Sequence, residues 1–399
     1  MDEPLDPHLC TLLARAEVAR ARSYIYEDGG RTIREQKELT EIPAPPFGED
    51  ARGRRMAELM SDSGLGRVGT DEVGNVLGWW GEGSEPPLIV SAHIDTVFPA
   101  GTDVTVRADG DRLVGPGISD DGRGLAALLA LARAFARARP TLVRPVLFVG
   151  TVGEEGEGDL RGARHLFREG GPGRGAYGFV SLDGAGLTRI VTGGLGSRRF
   201  RLTVRGPGGH SWVDWGTPNP IHALGRAIAG FTELALAQEP RTTLSVGRWA
   251  GGTSVNAIPQ EAWVELEVRS ESLPELDRLD SRIRACARAA LAGVNQSANG
   301  YRPAELTVDV IGDRPAGETD PEHPLVRAAI AATRAVGGIP ELAVSSTDSN
   351  IPMSMGVAAI TIGAGGEAGL AHTTDEWYRN ERGPDGIVRG FLTVLLCAG

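Results

Sequence analysis

Histidine and acidic side chains recur at the ends of short apolar segments of this chain, in a combination that could bind metal ions. Seven residues share this placement: His93, Asp95, Asp120, Glu154, Glu155, Asp183 and His372. Imidazole and carboxylate together suit zinc, manganese or cobalt better than calcium or a thiolate-bound metal. Two metals about 3.5–4 Å apart need one bridging carboxylate and one or two further ligands each. Five of the seven residues can supply such a pair of sites, with one histidine for each metal.

Two of the spacings indicate separate roles for neighbouring residues. His93 and Asp95 are two positions apart, so on a continuing strand both would point to the same face. Asp95 is therefore well placed to accept the second N–H of a metal-bound imidazole. Glu154 and Glu155 are adjacent, which predicts that one faces the metal and the other faces the water that the metal activates.

The segments that must position these residues read as an α/β sheet. Four short apolar runs, each followed directly or after a loop by an acid or histidine, predict buried strands at 87–92, 146–152, 179–182 and 357–362. A further strand-like stretch lies at 73–80, and helices are predicted at 52–64 and 124–137. In α/β sheets, ligands bind beyond the carboxyl ends of the strands, which is where these side chains occur.

The segment 195–311 has a different hydrophobic pattern from the segments on either side of it. This pattern predicts an inserted α+β domain. Its predicted strands are at 198–204, 262–268 and 306–310, and its predicted helices are at 219–235 and 276–291. Helical patterning resumes at 320–336. We therefore expect residues 1–194 and 312–399 to form one metal-binding domain and 195–311 to form a second, smaller one.

Composition excludes several classes of function. The 399 residues include 41 basic and 52 acidic side chains, a formal net charge of -11, which disfavours nucleic acid and anionic membranes as partners. No apolar run reaches the ~18–20 residues of a membrane helix, and no signal peptide is recognisable at the N-terminus. The three cysteines, Cys10, Cys286 and Cys397, form no CxxC motif and fit a reducing compartment. We expect a cytoplasmic protein.

Eight motifs make the chain similar to a known family. In chain order, the motifs are SAHIDTV at 91–97, GPGISDD at 115–121, GEEGEGDLRG at 153–162, Asp183, GPGGHSW at 206–212, GGTSVNAIP at 251–259, STDSN at 346–350 and AHTTDEW at 371–377. By these motifs, in this order, the chain resembles the zinc aminoacylase/carboxypeptidase family of metallohydrolases, which includes peptidase T, acetylornithine deacetylase and succinyl-diaminopimelate desuccinylase.

The resemblance implies a dinuclear zinc site, with cobalt or manganese as possible substitutes. It assigns His93 and Asp183 to one metal, Glu155 and His372 to the other, and Asp120 to both. Asp95 would orient His93, and Glu154 would be the general base. A cis peptide bond is implied after Asp120.

The resemblance also implies the architecture and the substrate contacts. It predicts a di-zinc exopeptidase-like catalytic domain with a central mixed, mostly parallel sheet, and an inserted lid domain through which homodimers form. His210 of the lid would help to stabilise the oxyanion, although it could equally be an ordinary loop histidine. Arg269 could likewise be a solvated strand residue. The predicted substrate contacts are Asn256, Arg269, Thr347, Asp348, Asn350, Gly365 and Gly366.

The predicted reaction is hydrolysis of an amide or peptide bond in a small substrate. We favour a di- or tripeptide exopeptidase over an N-acyl-amino-acid deacylase, because TSVNAIP, STDSN and the second acid after GIS look more like peptidase T. A metal-free binding protein on the same fold is the alternative from another class. The chain departs from the family pattern at two positions. Gly153, before the Glu pair, stands where an aspartate is common. Gly122, two positions after Asp120, stands where a lysine is common.

Overall fold

The structure, a computed structural model, describes residues 7–298 and 300–399 and forms two compact units. The first unit contains the described residues up to Gly194 together with Gly317–Gly399, and the second is Leu195–Ala316. The helices, in chain order, are α1 (Pro7–Leu13), α2 (Ala16–Glu27), α3 (Gly29–Thr40), α4 (Asp50–Asp62), α5 (Gly122–Ala138), α6 (Arg161–Leu166), α7 (Pro220–Thr232), α8 (Leu273–Asn295), α9 (Pro324–Ala335), α10 (Asn350–Ser354) and α11 (Gly383–Ala398).

The strands lie between these helices, singly or in runs of up to five. They are β1 (Gly66–Thr70), β2 (Val76–Trp80), β3 (Leu88–His93), β4 (Arg107–Asp109), β5 (Arg112–Val114), β6 (Val146–Thr151), β7 (Gly178–Leu182), β8 (Arg189–Gly194), β9 (Gly196–Arg205), β10 (Gly209–His210), β11 (Thr242–Gly251), β12 (Ala257–Ile258), β13 (Glu261–Ser270), β14 (Glu305–Arg314), β15 (Gly317–Glu318), β16 (Glu341–Ser345), β17 (Ala359–Ile362), β18 (Glu367–Gly369) and β19 (Trp377–Arg379).

The first unit is built on a mixed sheet, as predicted. Its strand order is β1-β2-β6-β3-β7-β17-β8-β15, and β16 also pairs with β8. The central strands β6, β3, β7 and β17 pair in parallel, whereas the pairings of β1 with β2, β2 with β6, β17 with β8 and β8 with β15 are antiparallel. Every residue of β3, β6 and β7 is buried, which explains why these strands are continuous apolar runs in the sequence.

Helix α5 packs against the central sheet and carries the loop of Asp120 at its start. The helix is buried along nearly its whole length, and two of its three arginines, Arg123 and Arg133, are buried with it. Its N-cap is Asp121, whose side chain accepts the N–H of Gly124 at 2.9 Å. Near the other end, Phe135 makes edge-to-face contacts with Trp80, Phe148 and Phe391. Capping therefore fixes the start of α5, and aromatic packing fixes its other end.

Some predicted element boundaries differ from the structure for a clear local reason. The strand expected at 73–80 begins only at Val76. The carboxylate of Asp71 accepts the backbone N–H groups of Val73, Gly74 and Asn75, which holds those residues in a turn.

A second, smaller sheet belongs to the first unit. Strands β18, β19, β5 and β4 follow one another in antiparallel pairings. It brings Trp377 next to Val114 and so joins the chain after His372 to the segment before Asp120. Strands of three residues are too short to show a periodic pattern, and the sequence analysis did not identify them.

The second unit has a four-stranded antiparallel sheet with the order β11-β13-β9-β14. Buried residues alternate with less buried ones along β13, because one face of the sheet packs on α7 and α8. Asn219 and Ser272 cap those helices through their side chains, each followed by a proline in the first turn. Among the described residues of both units, no helix is long and apolar enough to cross a bilayer.

Candidate metal centre and active site

The parallel centre of the first sheet brings the predicted metal ligands together. His93 is the last residue of β3, Glu154 follows β6, and Asp183 follows β7 directly. These three strands are neighbours in the sheet, so their carboxyl ends lie at the same edge. Asp120 lies immediately before the N-cap of α5, and His372 follows β18.

Among the described residues, three groupings of side chains could each hold a metal ion, with ligand atoms within 4.8 Å of one another. They are His93 with Glu154 and Glu155, His93 with Asp121 and Asp183, and Asp120 with Glu155 and His372. His93 and Glu155 each occur in two groupings, so the three form one continuous cluster.

Asp120 lies between the two histidines of the cluster. Its Oδ1 is 2.9 Å from Nε2 of His93, and its Oδ2 is 3.0 Å from Nε2 of His372. His372 Nε2 is also 3.0 Å from Oε1 of Glu155. One carboxylate with an oxygen directed to each imidazole has the geometry required of a bridging ligand. The peptide bond between Asp120 and Asp121 is cis, as the family resemblance implies.

The electrostatics of the cluster favour bound positive charge. Burial, together with the nearby charge of Asp120, raises the pKa of Asp183 to about 7. Hydrogen bonds to Asp120 and Glu155 raise the pKa of His372 to about 10. Burial alone would lower the pKa of His93, but its hydrogen bonds to Asp120 and Asp95 outweigh this and raise it well above the usual value. A buried set of carboxylates and imidazoles with this demand for positive charge fits divalent cations.

Asp95 contacts both parts of the cluster, but in a different way from the one predicted. The ring Nδ1 of His93 is 3.0 Å from the backbone oxygen of Asp95 and 3.7 Å from its carboxylate. A carbonyl can only accept, so Nδ1 carries a proton and Nε2 faces Asp120. The Asp95 carboxylate instead accepts the backbone N–H groups of Glu154 and Glu155, at 2.9 and 2.8 Å. Asp95 thereby fixes the backbone of Glu154 and Glu155 close to His93.

Asp121 was not identified from the sequence as a site residue. Its carboxylate accepts the backbone N–H groups of His93 at 3.0 Å, Gly124 at 2.9 Å and Gly184 at 3.1 Å. It therefore ties the ends of β3 and β7 to the start of α5. Burial, supported by the nearby charges of Asp183 and Asp120, raises the pKa of this carboxyl well above its usual value, although His93 acts in the opposite direction.

Glu376 is a second residue that the sequence analysis missed. Its carboxylate accepts the backbone N–H groups of Gly117, Ser119 and Asp120, at 3.1, 2.7 and 2.8 Å. The side chain is fully buried, and burial raises the pKa of Glu376 to about 7. Its position in the AHTTDEW motif was the available signal, but hydrogen bonds to backbone groups are invisible in a sequence.

Replacing Glu376 with glutamine is expected to weaken metal binding, because an amide N–H₂ would face one of these backbone donors and loosen the loop of Asp120. We expect metal affinity to fall by about 10–100-fold, as for other residues that orient ligands, and the free energy of unfolding to fall by about 1–3 kcal/mol. Competition with a chromophoric chelator and chemical denaturation measure the two effects. Glu381→Gln, on an exposed glutamate nearby, is the matched control. Unchanged metal affinity in Glu376→Gln would contradict this positioning role.

Two of the three predicted residues of the second unit, His210 and Asn256, lie at a short turn. His210 is exposed, and its Nδ1 accepts the backbone N–H groups of Trp212 at 3.2 Å and Val213 at 3.4 Å. The neutral ring therefore carries its proton on Nε2. Asn256 lies next to this turn, because its backbone oxygen accepts the N–H of Ser211 at 3.0 Å. Arg269 lies apart on β13, where its guanidinium pairs with Glu267 at 2.8 Å.

The predicted contacts in the STDSN segment are buried and engaged with the protein. Thr347 Oγ1 is 2.8 Å from Oγ1 of Thr361, and Asn350 accepts the backbone N–H of Thr347 at 2.9 Å. Asp348 accepts the hydroxyl of Thr151, the last residue of β6, at 2.6 Å. In this structure the three side chains hold the segment against the sheet, and a substrate role for them stays a prediction.

The two predicted glycines of the next loop are required by packing. Gly365 and Gly366 have φ angles of 81° and 85°. A side chain at Gly365 would collide with the backbone of Gly383, and one at Gly366 would collide with the ring of Tyr378. Gly366 also borders an open cavity, so this loop can both pack tightly and face a ligand.

The departures from the family pattern have local explanations. A Cβ at Gly153 would lie 2.8 Å from Cγ of Arg161, whose guanidinium pairs with Glu49. A Cβ at Gly122 would lie 2.8 Å from the carbonyl oxygen of Gly117 and closer still to the hydroxyl of Thr40. These neighbours occupy the space that larger side chains would need.

A cluster of histidines and carboxylates at the carboxyl ends of parallel strands is a candidate metal centre on an α/β unit. Residues 89–394 match the model of peptidase family M20/M25/M40, and the chain belongs to this family. The resemblance drawn from the motifs is thus confirmed. The family is one of metal-dependent peptidases.

The individual relatives share low sequence identity with this chain. A probable carboxypeptidase of Aspergillus flavus is 28% identical over 255 residues, which cover 57% of this chain and 58% of that protein. The chain therefore spans little more than half the length of such carboxypeptidase relatives. A putative LysW-lysine/LysW-ornithine hydrolase of Pyrococcus abyssi is 28% identical over 343 residues, or 85% of this chain and 86% of that protein. The crystal structure of aminopeptidase PepT from Bacillus cereus shares the fold, with a TM-score of 0.72, 22% identity, and coverage of 92% of this chain and 98% of that one.

Proposed function

We propose that the chain is a di- or tripeptide exopeptidase that uses two zinc ions, with His93 and Asp183 on one, Glu155 and His372 on the other, and Asp120 on both. The observation that carries this proposal is the position of Asp120, with one carboxylate oxygen 2.9 Å from His93 and the other 3.0 Å from His372. Cobalt or manganese could replace zinc with the same ligands. When bound, the two ions polarise the scissile carbonyl and lower the pKa of the attacking water toward ~7.

The remaining chemistry falls to Glu154, which takes a proton from the attacking water and delivers it to the leaving nitrogen. Glu154 is 5% exposed and its carboxylate lies within the grouping of His93 and Glu155. Its backbone N–H is bound by Asp95, so its position is fixed relative to the ligands. A base within reach of the reacting water and held by neighbouring groups meets the requirements of general base catalysis.

His210 donates a hydrogen bond to the developing oxyanion in this proposal. Because its Nδ1 accepts two backbone N–H groups, the neutral ring presents Nε2–H as a donor. Asn256, Arg269, Thr347, Asp348, Asn350, Gly365 and Gly366 are the proposed substrate contacts. The second unit, Leu195–Ala316, is the proposed lid and dimerisation domain, and we propose a cytoplasmic homodimer with no nucleic-acid or membrane partner.

A deacylase of N-acyl amino acids is the second candidate. The hydrolase of Pyrococcus abyssi supports it, because that relative aligns over 85% of this chain whereas the carboxypeptidase of Aspergillus flavus aligns over 57%. The ligand set and Glu154 would serve either substrate equally well, since both contain a C–N bond to a carbonyl carbon.

The test is metal analysis followed by a hydrolysis screen. We expect about two zinc ions per chain and cleavage of dipeptides or tripeptides by the zinc-loaded protein, with activity lost after chelation and restored by zinc. Cleavage of N-acyl amino acids alone would favour the deacylase. A native protein that binds no metal and cleaves none of these compounds would overturn the proposal.

A further inference from the structure

Trp377 borders an open cavity of about 440 Å³ that has no role in the chemistry described so far. The cavity, called here the Trp377 recess, is lined by Ala185, Gly186, Gly366, Glu367, Ala368 and Trp377. Four of its six lining residues are glycine or alanine, so the indole is the largest apolar surface in it. Small-molecule sites typically have volumes of about 300–1,000 Å³, and the recess falls within that range.

The walls of the recess are continuous with the metal cluster. Ala185 lies two positions after Asp183, and the intervening N–H of Gly184 is bound by Asp121. Trp377 directly follows Glu376, whose carboxylate holds the backbone of Asp120. Both walls are therefore one or two residues away from groups that position or form the cluster.

The two loops that form the recess are joined to each other by backbone hydrogen bonds. The N–H of Gly186 donates to the oxygen of Gly366 at 3.2 Å, and the N–H of Gly365 donates to the oxygen of Gly186 at 3.1 Å. The shape of the recess is thus fixed by main-chain contacts and does not depend on a mobile side chain.

The indole of Trp377 is itself held in place. The guanidinium of Arg112 lies 4.0 Å from its ring centre, and a Cβ at Gly369 would lie 2.8 Å from its Nε1. The Arg112 guanidinium is attracted to the face of the Trp377 ring. The backbone of Gly369 packs closely against the same ring and restricts its rotation. The indole is therefore an ordered apolar surface for a ligand.

The charge in the recess is already neutralised. Glu367, its one ionisable residue, is hydrogen-bonded to Arg379 across the β18–β19 pair. A second cavity that Trp377 also lines differs in this respect, because Arg107, Asp109, Arg112 and Asp375 border it. A charged side chain of a substrate would find no unpaired opposite charge in the Trp377 recess, whereas an apolar one would lose contact with water.

We propose that the Trp377 recess binds a large apolar or aromatic side chain of the substrate and makes Trp377 and Ala368 determinants of specificity. This inference rests on the proposed function, because it places the side chain beside the bond that the cluster hydrolyses. It narrows the substrate class to compounds with such a side chain next to the scissile bond.

The first test compares matched substrates with the zinc-loaded enzyme. The pairs are Gly-Phe and Phe-Gly against Gly-Gly, and N-acetylphenylalanine against N-acetylglycine. We expect at least one phenylalanine compound to exceed its glycine partner in kcat/KM by about tenfold or more, the size of effect that hydrophobic pockets give. Ala368→Leu would fill the recess and reduce this ratio by about tenfold. Ala51→Leu, on an exposed alanine of α4, is the matched control and should keep the wild-type ratio.

The second test does not depend on turnover. Calorimetry measures binding of the same compounds to the zinc-loaded Glu154→Gln variant, alone and combined with Ala368→Leu or Trp377→Val, with melting temperatures as the check on folding. Tighter binding of the phenylalanine compound, lost in both double variants, supports the recess even if the wild type hydrolyses none of these compounds. Equal binding and equal kcat/KM of the phenylalanine and glycine compounds would overturn it, whether or not the enzyme is a peptidase.

Discussion

Replacing Glu154 with glutamine is expected to lower kcat by at least ~100-fold and as much as ~10,000-fold, the range over which general acid–base groups contribute. Glutamine has nearly the shape of glutamate but cannot accept a proton from the attacking water. The backbone N–H at this position stays bound to Asp95, so the neighbouring Glu155 should keep its place. Metal content and melting temperature should therefore match those of the wild type.

The measurements are steady-state kinetics, metal analysis by mass spectrometry and thermal unfolding. Glu157→Gln is the matched control, because Glu157 is an exposed glutamate of the same loop. If Glu154→Gln keeps full activity, the proton is handled elsewhere. If instead it loses one metal, Glu154 is a ligand, a role that its grouping with His93 and Glu155 also allows geometrically.

Replacing Asp120 with asparagine is expected to remove metal and activity together. An amide offers one oxygen and one N–H₂ group, so it can no longer direct an oxygen to both His93 and His372. We expect fewer than two zinc ions per chain and a fall in kcat/KM of about 10³-fold, which corresponds to about 4 kcal/mol of lost charge stabilisation.

Metal removal distinguishes this effect from misfolding. Wild-type protein treated with a chelator should lose activity and regain it with zinc, whereas Asp120→Asn should not regain it at the same zinc concentration. Asp62→Asn, on an exposed aspartate at the end of α4, serves as the control. Two tightly bound zinc ions in Asp120→Asn would show that another residue bridges them.

Some of the candidate ligand positions could be predicted because they lie at or soon after the ends of buried strands. The runs that end at His93, before Glu154 and before Asp183 are mostly apolar and contain no charged residue, so a histidine or acid at their ends stands out. Because these strands are parallel neighbours in the sheet, their carboxyl ends lie close together.

Asp121 and Glu376 could not be assigned in this way. Their partners are backbone N–H groups, which every residue except proline possesses, and for Glu376 those groups lie more than 250 positions away in the chain. Only the assembled structure shows that these two carboxylates hold the loops of the cluster in place.

Helix α3 was missed for a different reason. Its sequence, GGRTIREQKELT, looks like a solvated segment, yet Glu35 and Gln36 are buried. Glu35 pairs with Arg133 of α5 at 2.7 Å, and Gln36 donates to the backbone oxygen of Ile118 at 2.8 Å. Buried polar residues with long-range partners remove the apolar stripe by which a helix is usually recognised.

The large separation in the chain between Asp120 and His372 also determines when this part of the cluster can form during protein synthesis. His372 is 252 residues beyond Asp120, and the whole unit Leu195–Ala316 is translated between them. At ~5–20 residues per second the ribosome needs roughly 13–50 s to cover that distance. Through that interval the nascent chain contains His93 and Asp120 without the second imidazole of the cluster. In the proposed two-metal site, binding of the second metal would therefore follow synthesis of the last part of the chain.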